Sequence, residues 1–176
     1  MQAAVDLVSD DNPQIFVGRQ PILDRELNTY AYELLFRPGL GNEADFLDGE
    51  KATAQIIYNS LIEIGLDNIV GTKPAYINFT RESLMAEIPL LLPPDRVVLE
   101  ILEDVEVDDE LSERIRSLIK AGYTVALDDF EYHSKWETLI SLAAVIKFDV
   151  QALSFEEIKQ QVSSLKKHNI KLLAEK

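Results

Sequence analysis

Short apolar runs alternate along this chain with stretches whose apolar residues return every three or four positions. The runs Ile15–Arg19, Thr29–Phe36, Ala75–Phe79, Val97–Ile101, Thr124–Asp128, Val145–Asp149 and Lys171–Glu175 are rich in Val, Ile, Leu and aromatics, and predict strands. They are as short as strands buried in a parallel sheet should be. Between them the period changes to that of a helix. Ala52, Ile56, Leu61 and Ile64 share a face, and Gly65 suits its stop. A short helix is expected from Arg81 to Glu87, before Pro89. Leu111, Ile115, Leu118 and Ile119 form a stripe behind the acidic start Asp108-Asp109, and Gly122 ends it. A weaker helix is predicted over 135–143. The last opens on Ser154 with Glu157 three residues on, a capping box, and is expected to bury Ile158, Val162 and Leu165.

Strands alternating with helices predict an α/β fold with a parallel sheet. The polar turn Asp24–Asn28 predicts an antiparallel hairpin at its start. A doubly wound sheet would carry a glycine-rich phosphate loop after an early strand, and none is present. A barrel instead predicts functional polar residues at the C-terminal ends of several different strands.

That second pattern is present. Glu33 interrupts the run Tyr30–Phe36, and Asn78 and Glu100 sit near the ends of their strands. Asp128 and Asp129 follow Val125-Ala126-Leu127, Lys147 and Asp149 lie in Val145–Val150, and Glu175 follows Leu172-Leu173-Ala174. A charge in a buried strand costs several kcal/mol unless it is paired or metal-bound. Taken singly, each has a plain structural explanation: a paired carboxylate, an aspartate capping a helix, a lysine reaching for solvent. Together, at corresponding places on six strands, they predict a shared site. Carboxylates and an amide are hard oxygen donors that suit magnesium, manganese or calcium rather than zinc. Two such ions about 4 Å apart can activate water and stabilise the leaving oxygen of a phosphodiester, and a lysine among them can offset developing charge.

Composition narrows the reading. The 176 residues are 47% hydrophobic and 27% charged, ordinary for a globular domain. There is no cysteine and there are two histidines, which excludes thiolate chemistry and disfavours zinc. The net charge of −14 disfavours a nucleic-acid polymer as partner. No apolar run approaches the roughly 18 residues of a membrane helix, and the acidic N-terminus lacks the order of a signal peptide. A cytoplasmic location with no membrane partner is expected.

The residues then resemble a known family. Tyr32-Glu33-Leu34-Leu35-Phe36-Arg37 is similar to the signature of EAL domains, with Leu34 where the name-giving alanine would stand. Gln20-Pro21-Ile22, Ile77-Asn78-Phe79-Thr80, Leu99-Glu100-Ile101, Leu127-Asp128-Asp129-Phe130, Ile146-Lys147-Phe148-Asp149 and Ala174-Glu175 resemble its other motifs, in order, over residues 14–176 behind a lead of 1–13. The resemblance implies a TIM-like (β/α) barrel, its first strand antiparallel, and hydrolysis of cyclic-di-GMP to the linear dinucleotide with magnesium or manganese. Calcium would be an occupant that binds without turnover. It further implies Glu33, Asn78, Glu100 and Asp128 as metal ligands, Asp129 as ligand to a second metal, and Lys147 and Glu175 as supports of the water and metals. Arg37 would contact phosphate and Gln20 a guanine, with Asp149 in the ligand-binding set.

The wording around Gln20 and Glu33 is nearest to signalling proteins that join an EAL-like domain to a C-terminal HDOD domain. No HDOD segment is present, and a full barrel takes about 250 residues, so the chain reads as an incomplete barrel lacking its last strand or strands and inactive on its own. Its open sheet edge predicts a homodimer or protein partner. After Asp129 the family's glycine is replaced by Glu131, and the loop continues Tyr132-His133-Ser134-Lys135-Trp136. That departure supports an alternative: a degenerate EAL domain acting as a nucleotide receptor or interaction module.

Overall fold

The computed structural model describes residues 15–38, 61, 63–133 and 136–175. Its seven strands are β1 (Ile15–Leu23), β2 (Thr29–Pro38), β3 (Ala75–Phe79), β4 (Val97–Ile101), β5 (Thr124–Leu127), β6 (Val145–Asp149) and β7 (Lys171–Glu175), hydrogen-bonded in sequence order. Among the described residues the helices are α1 (Leu66–Val70), α2 (Arg81–Met85), α3 (Asp109–Lys120), α4 (Glu137–Ile140) and α5 (Phe155–Leu165). The chain divides into two compact units, Met1–Ile77 with Glu87–Val97, and Asn78–Ala86 with Val98–Lys176.

In the first unit, β1 pairs antiparallel with β2 around the turn expected at Asp24–Asn28, where Asp24 Oδ1 accepts from the Asn28 N–H at 2.8 Å. β1 is longer than the apolar run predicts. It takes in Gln20-Pro21, whose partners are Glu33 and Tyr32. β3 joins β2 in parallel register, Glu33 opposite Tyr76. The helix predicted over 52–64 lies mostly outside the described residues. Gly65, at φ 79°, breaks the helical backbone as expected, yet a further short helix, α1, follows it. The Arg96 guanidinium then ties this region together, pairing with Asp67 at 2.7 Å and donating to the carbonyls of Gly71 and Lys73.

In the second unit, β4, β5, β6 and β7 are parallel neighbours. Asp108 caps α3 by accepting from the Leu111 N–H at 2.8 Å. Leu111, Ile115 and Leu118 are buried along one stripe, whereas Ile119 is only half-buried. Each fully buried side chain of this kind contributes about 1.5–3 kcal/mol. Gly122, at φ 101°, turns the chain into β5 in a backbone conformation that side chains disfavour. The predicted capping box is present at Ser154 and Glu157, but of the three residues expected to be buried on α5 only Leu165 is, with Ile158 and Val162 half-buried. α4 is shorter than predicted, and a 3₁₀ turn over Ile88–Leu91 accommodates Pro89. Among the described residues no helix is long and apolar enough to cross a membrane.

Candidate functional site

The register of the second unit explains why its polar residues meet. Glu100 is opposite Ala126, Ala126 opposite Val145, and Lys147 opposite Leu173. Paired residues of adjacent strands share a face, and side chains alternate along a strand. Glu100, Asp128, Lys147 and Glu175 therefore project to the same side.

Their charges converge on the lysine. Lys147 Nζ lies 2.8 Å from Glu100 Oε1, 2.7 Å from Asp128 Oδ1 and 2.8 Å from Glu175 Oε2. The Lys147 side chain is 1% exposed and that of Glu100 0%, with Asp128 and Glu175 at 10% and 12%. Three carboxylates share one ammonium away from bulk water. Burial raises the Glu175 carboxyl to about 7, against the pull of Lys147 and with the Asp128 charge pushing the same way as burial.

Asp128 and Asp129 lie just past β5, not inside it as the apolar run suggests for Asp128. The Asp128 N–H bonds the Ile101 carbonyl at 3.0 Å, and the Phe130 N–H bonds the Lys147 carbonyl at 2.9 Å. Between these anchors Asp129 takes φ 38°, in the left-handed region. Aspartate tolerates that conformation better than most residues, but it still carries strain. One ligand atom each of Asp128, Asp129 and Glu175 lies within 4.8 Å of the others, a spacing that suits a metal ion. Asn78 Oδ1, also in this unit, is buried with no hydrogen-bond partner among the described residues, and so is Glu175 Oε1. Buried oxygens without donors are what a cation would satisfy.

No protein-family profile matches the chain. It is 36% identical over 143 residues to a protein named cyclic di-GMP phosphodiesterase CdgJ from Vibrio cholerae, covering 81% of this chain and 33% of that protein. It is also 36% identical over 141 residues to the uncharacterized protein YuxH of Bacillus subtilis, covering 77% of this chain and 34% of that one. The chain thus spans about a third of the length of these curated relatives. Among solved structures, it superposes on Klebsiella pneumoniae BlrP1 in a manganese and cy-diGMP complex with a TM-score of 0.68 at 19% identity, over 99% of this chain and 52% of that one. The Bacillus subtilis YkuI protein, with an EAL domain in complex with c-di-GMP and calcium, gives 0.68 at 24% identity over 89% of this chain and 47% of that one. The PaMucR phosphodiesterase in its c-di-GMP complex gives 0.68 at 20% identity, covering 91% and 84%.

The chain is a homologue of a protein named cyclic di-GMP phosphodiesterase, with the fold of EAL-domain structures. Its fold is of the TIM-like type of those structures, with seven strands among the described residues, as the motifs and strand order led us to expect.

Of the EAL-domain positions singled out in the sequence, Asn78, Glu100, Asp128, Asp129, Lys147, Asp149 and Glu175 belong to the second unit. Glu100, Asp128 and Glu175 are gathered on Lys147, and Asp129 joins Asp128 and Glu175. Asp149 faces the same side as Glu175, its register partner, but its Oδ1 accepts from the N–H groups of Gln151 and Ala152 at 2.7 and 2.9 Å, so it also shapes the turn after β6. Glu33 and Gln20 belong to the first unit, opposite one another in the β1–β2 ladder, Glu33 half-buried and Gln20 exposed. Arg37 is a β2 residue opposite Phe16, and its side chain lies outside the described residues.

The loop that departs from the family pattern is anchored by aromatic packing. Phe130 meets Phe148 edge-on at 6.0 Å and Trp136 at 6.4 Å. The Tyr132 N–H donates to Gln161 Oε1 at 2.9 Å, and its hydroxyl donates to the Glu137 carboxylate. Glu131 itself is exposed. The left-handed turn at Asp129 and the three-way use of Lys147 are features the motifs did not announce. Periodicity can place a residue on a face, but it does not report a φ angle or which of several carboxylates a lysine will reach.

Proposed function

We propose that this chain supplies the cation-binding half of the active site in a protein that hydrolyses cyclic-di-GMP to the linear dinucleotide. The observation that carries the reading is the buried convergence of Glu100, Asp128 and Glu175 on Lys147, with Asp129 beside them. The relative named as a cyclic di-GMP phosphodiesterase supports the substrate.

The residues fit a divalent cation: hard oxygens, an excess of carboxylate over ammonium, and buried oxygens of Asn78 and Glu175 that lack donors among the described residues. Glu33, Asn78, Glu100 and Asp128 would hold a first magnesium or manganese ion and Asp129 a second, with calcium as an occupant that does not turn over. When bound, such ions supply Lewis-acid stabilisation of the phosphoryl oxygens and a water acidic enough to attack near neutral pH. Lys147 donates a hydrogen bond to the attacking water and offsets charge growing on the phosphate. Glu175, whose carboxyl titrates near 7, accepts the proton that the water releases. The new bond joins the water oxygen to phosphorus, and the bond to the leaving ribose oxygen breaks with its electron pair; that oxygen takes a proton from solvent to become a hydroxyl, opening the ring. Arg37, Gln20 and Asp149 contribute to nucleotide binding. An HDOD domain, as in the signalling proteins the sequence resembles, would be a separate module beside this one, and a second copy or another protein would cover the sheet edge. A cytoplasmic setting follows from that substrate. A receptor without turnover is the less favoured reading, because each ligand position within the chain retains a competent side chain.

The test is hydrolysis of cyclic-di-GMP by the full-length protein with magnesium or manganese, followed by chromatography of the linear product. Divalent-dependent turnover that D128N abolishes is expected. Absence of turnover with both ions would overturn the enzymatic reading.

A further inference from the structure

A buried lysine among three carboxylates raises a question of function apart from chemistry on a substrate. Lys147 Nζ already sits 2.7–2.8 Å from one oxygen of each of Glu100, Asp128 and Glu175. A divalent ion takes carboxylate oxygens at roughly 2.0–2.6 Å. An ion on those same oxygens would lie too near the ammonium for both positive charges to remain. The oxygens that face away are different: Glu175 Oε1 is buried and has no hydrogen-bond partner among the described residues, and neither has Asn78 Oδ1.

We propose that Lys147 is the resident cation of this site, holding Glu100, Asp128 and Glu175 together before metal arrives and giving up part of that contact to the divalent ion that replaces it. The proposal rests on the metal-binding reading above and concerns a positioning residue. Without the ammonium, three carboxylates would face one another in a buried space, which folding alone does not sustain. With it, the oxygens stay gathered at a spacing close to the one an ion needs, and the ligand set forms in the absence of metal. The same arrangement weakens metal binding, because the incoming ion must displace a charge already neutralised. Lys147 thus sets a threshold: the site stays closed on itself at low divalent concentration and opens to metal above it.

The test uses the full chain with manganese alone, without nucleotide. Wild type and K147M are compared by thermal denaturation and by calorimetric titration. K147M should melt lower than wild type without metal, gain more on adding manganese, and bind the ion roughly tenfold tighter or better, since a competing positive charge has been removed. A lysine of merely structural importance would lower both melting points equally and leave affinity unchanged, and that result would overturn the proposal. Weaker binding by K147M would also overturn it. If K147M does not fold without metal, recovery of folding in K147M/E175Q supports the repulsion argument, and failure to recover opposes it. Failure of wild type and K147M alike to bind manganese would sink the metal-site reading itself. Binding by wild type with no gain in K147M would sink only the role of Lys147.

Discussion

Glu100→Gln should be far milder for folding than the loss of a buried ion pair usually is. Breaking such a pair by removing one partner commonly costs about 3–5 kcal/mol. Here Glu100 is one of three carboxylates on a single nitrogen. At an effective dielectric of about 20, attraction across 2.8 Å to Lys147 contributes about 6 kcal/mol. The three contacting oxygens all lie within 2.8 Å of that nitrogen, so no two are more than about 5.6 Å apart. At that separation Asp128 and Glu175 each repel Glu100 by about 3 kcal/mol. The two repulsions offset the attraction, and the glutamine carbonyl can still accept from Lys147. Glu100→Gln should therefore stay within about 1 kcal/mol of wild type, a melting shift under about 4 °C for a chain of this size. The assay is thermal denaturation at pH 8 without divalent ions, where Glu175 is largely ionised. Calorimetry with manganese should show affinity reduced by at least the roughly 10–100-fold that changes around a metal site cost. A melting loss above about 8 °C with metal affinity unchanged would refute the reasoning and make Glu100 a structural carboxylate.

Other outcomes follow from the same geometry. The Glu175 carboxyl is raised in the fold to about 7 from the usual 4.5, so the native state holds its proton more tightly than the unfolded chain. That contribution is complete below pH 4.5 and is lost as the pH rises through 7; metal-free denaturation across this range should show the decline, and Glu175→Gln should flatten it. Manganese affinity should rise over the same interval, because the ligand must shed its proton. Asp129→Gly should relieve the left-handed strain at φ 38° and raise the melting temperature, while divalent binding falls; a lower melting temperature would count against strain there. Leu118→Ala, at a buried position of α3, should cost about 2–5 kcal/mol by denaturant titration, with metal affinity unchanged in the folded fraction.

The strands β3 to β6 were legible because their burial is nearly complete: β4 is buried at all five positions and reads Val-Val-Leu-Glu-Ile. Within such runs a polar residue stands out, and that made Glu100, Lys147 and Asn78 visible. α3 was equally clear, since its stripe, its Asp108 cap and Gly122 all agree. The apolar run Ile15–Arg19 stops short of Gln20 and Pro21, yet β1 continues through them to Leu23, because an edge strand tolerates proline where no ladder bond is needed. α1 was not anticipated. Its five residues have too little periodicity to register, and Ile69 and Val70 are buried by their surroundings. In the site, residue types and order were readable, but the division of labour was not. That Lys147 would bind three carboxylates, while Asp149 would turn partly to its own loop, depends on distances of a few ångströms that no spacing rule encodes.

The two backbone hydrogen bonds flanking the aspartate pair, Asp128 to Ile101 and Phe130 to Lys147, have a kinetic consequence. Both neighbouring strands grip the main chain of this turn, so the direction of its carboxylates is decided when the sheet forms. An arriving ion meets a prepared surface and need not wait for a loop to search. Its capture rate should then be governed by how fast the ion sheds water and Lys147 retreats. Slowly dehydrating magnesium should load later than manganese or calcium, even where their affinities are alike.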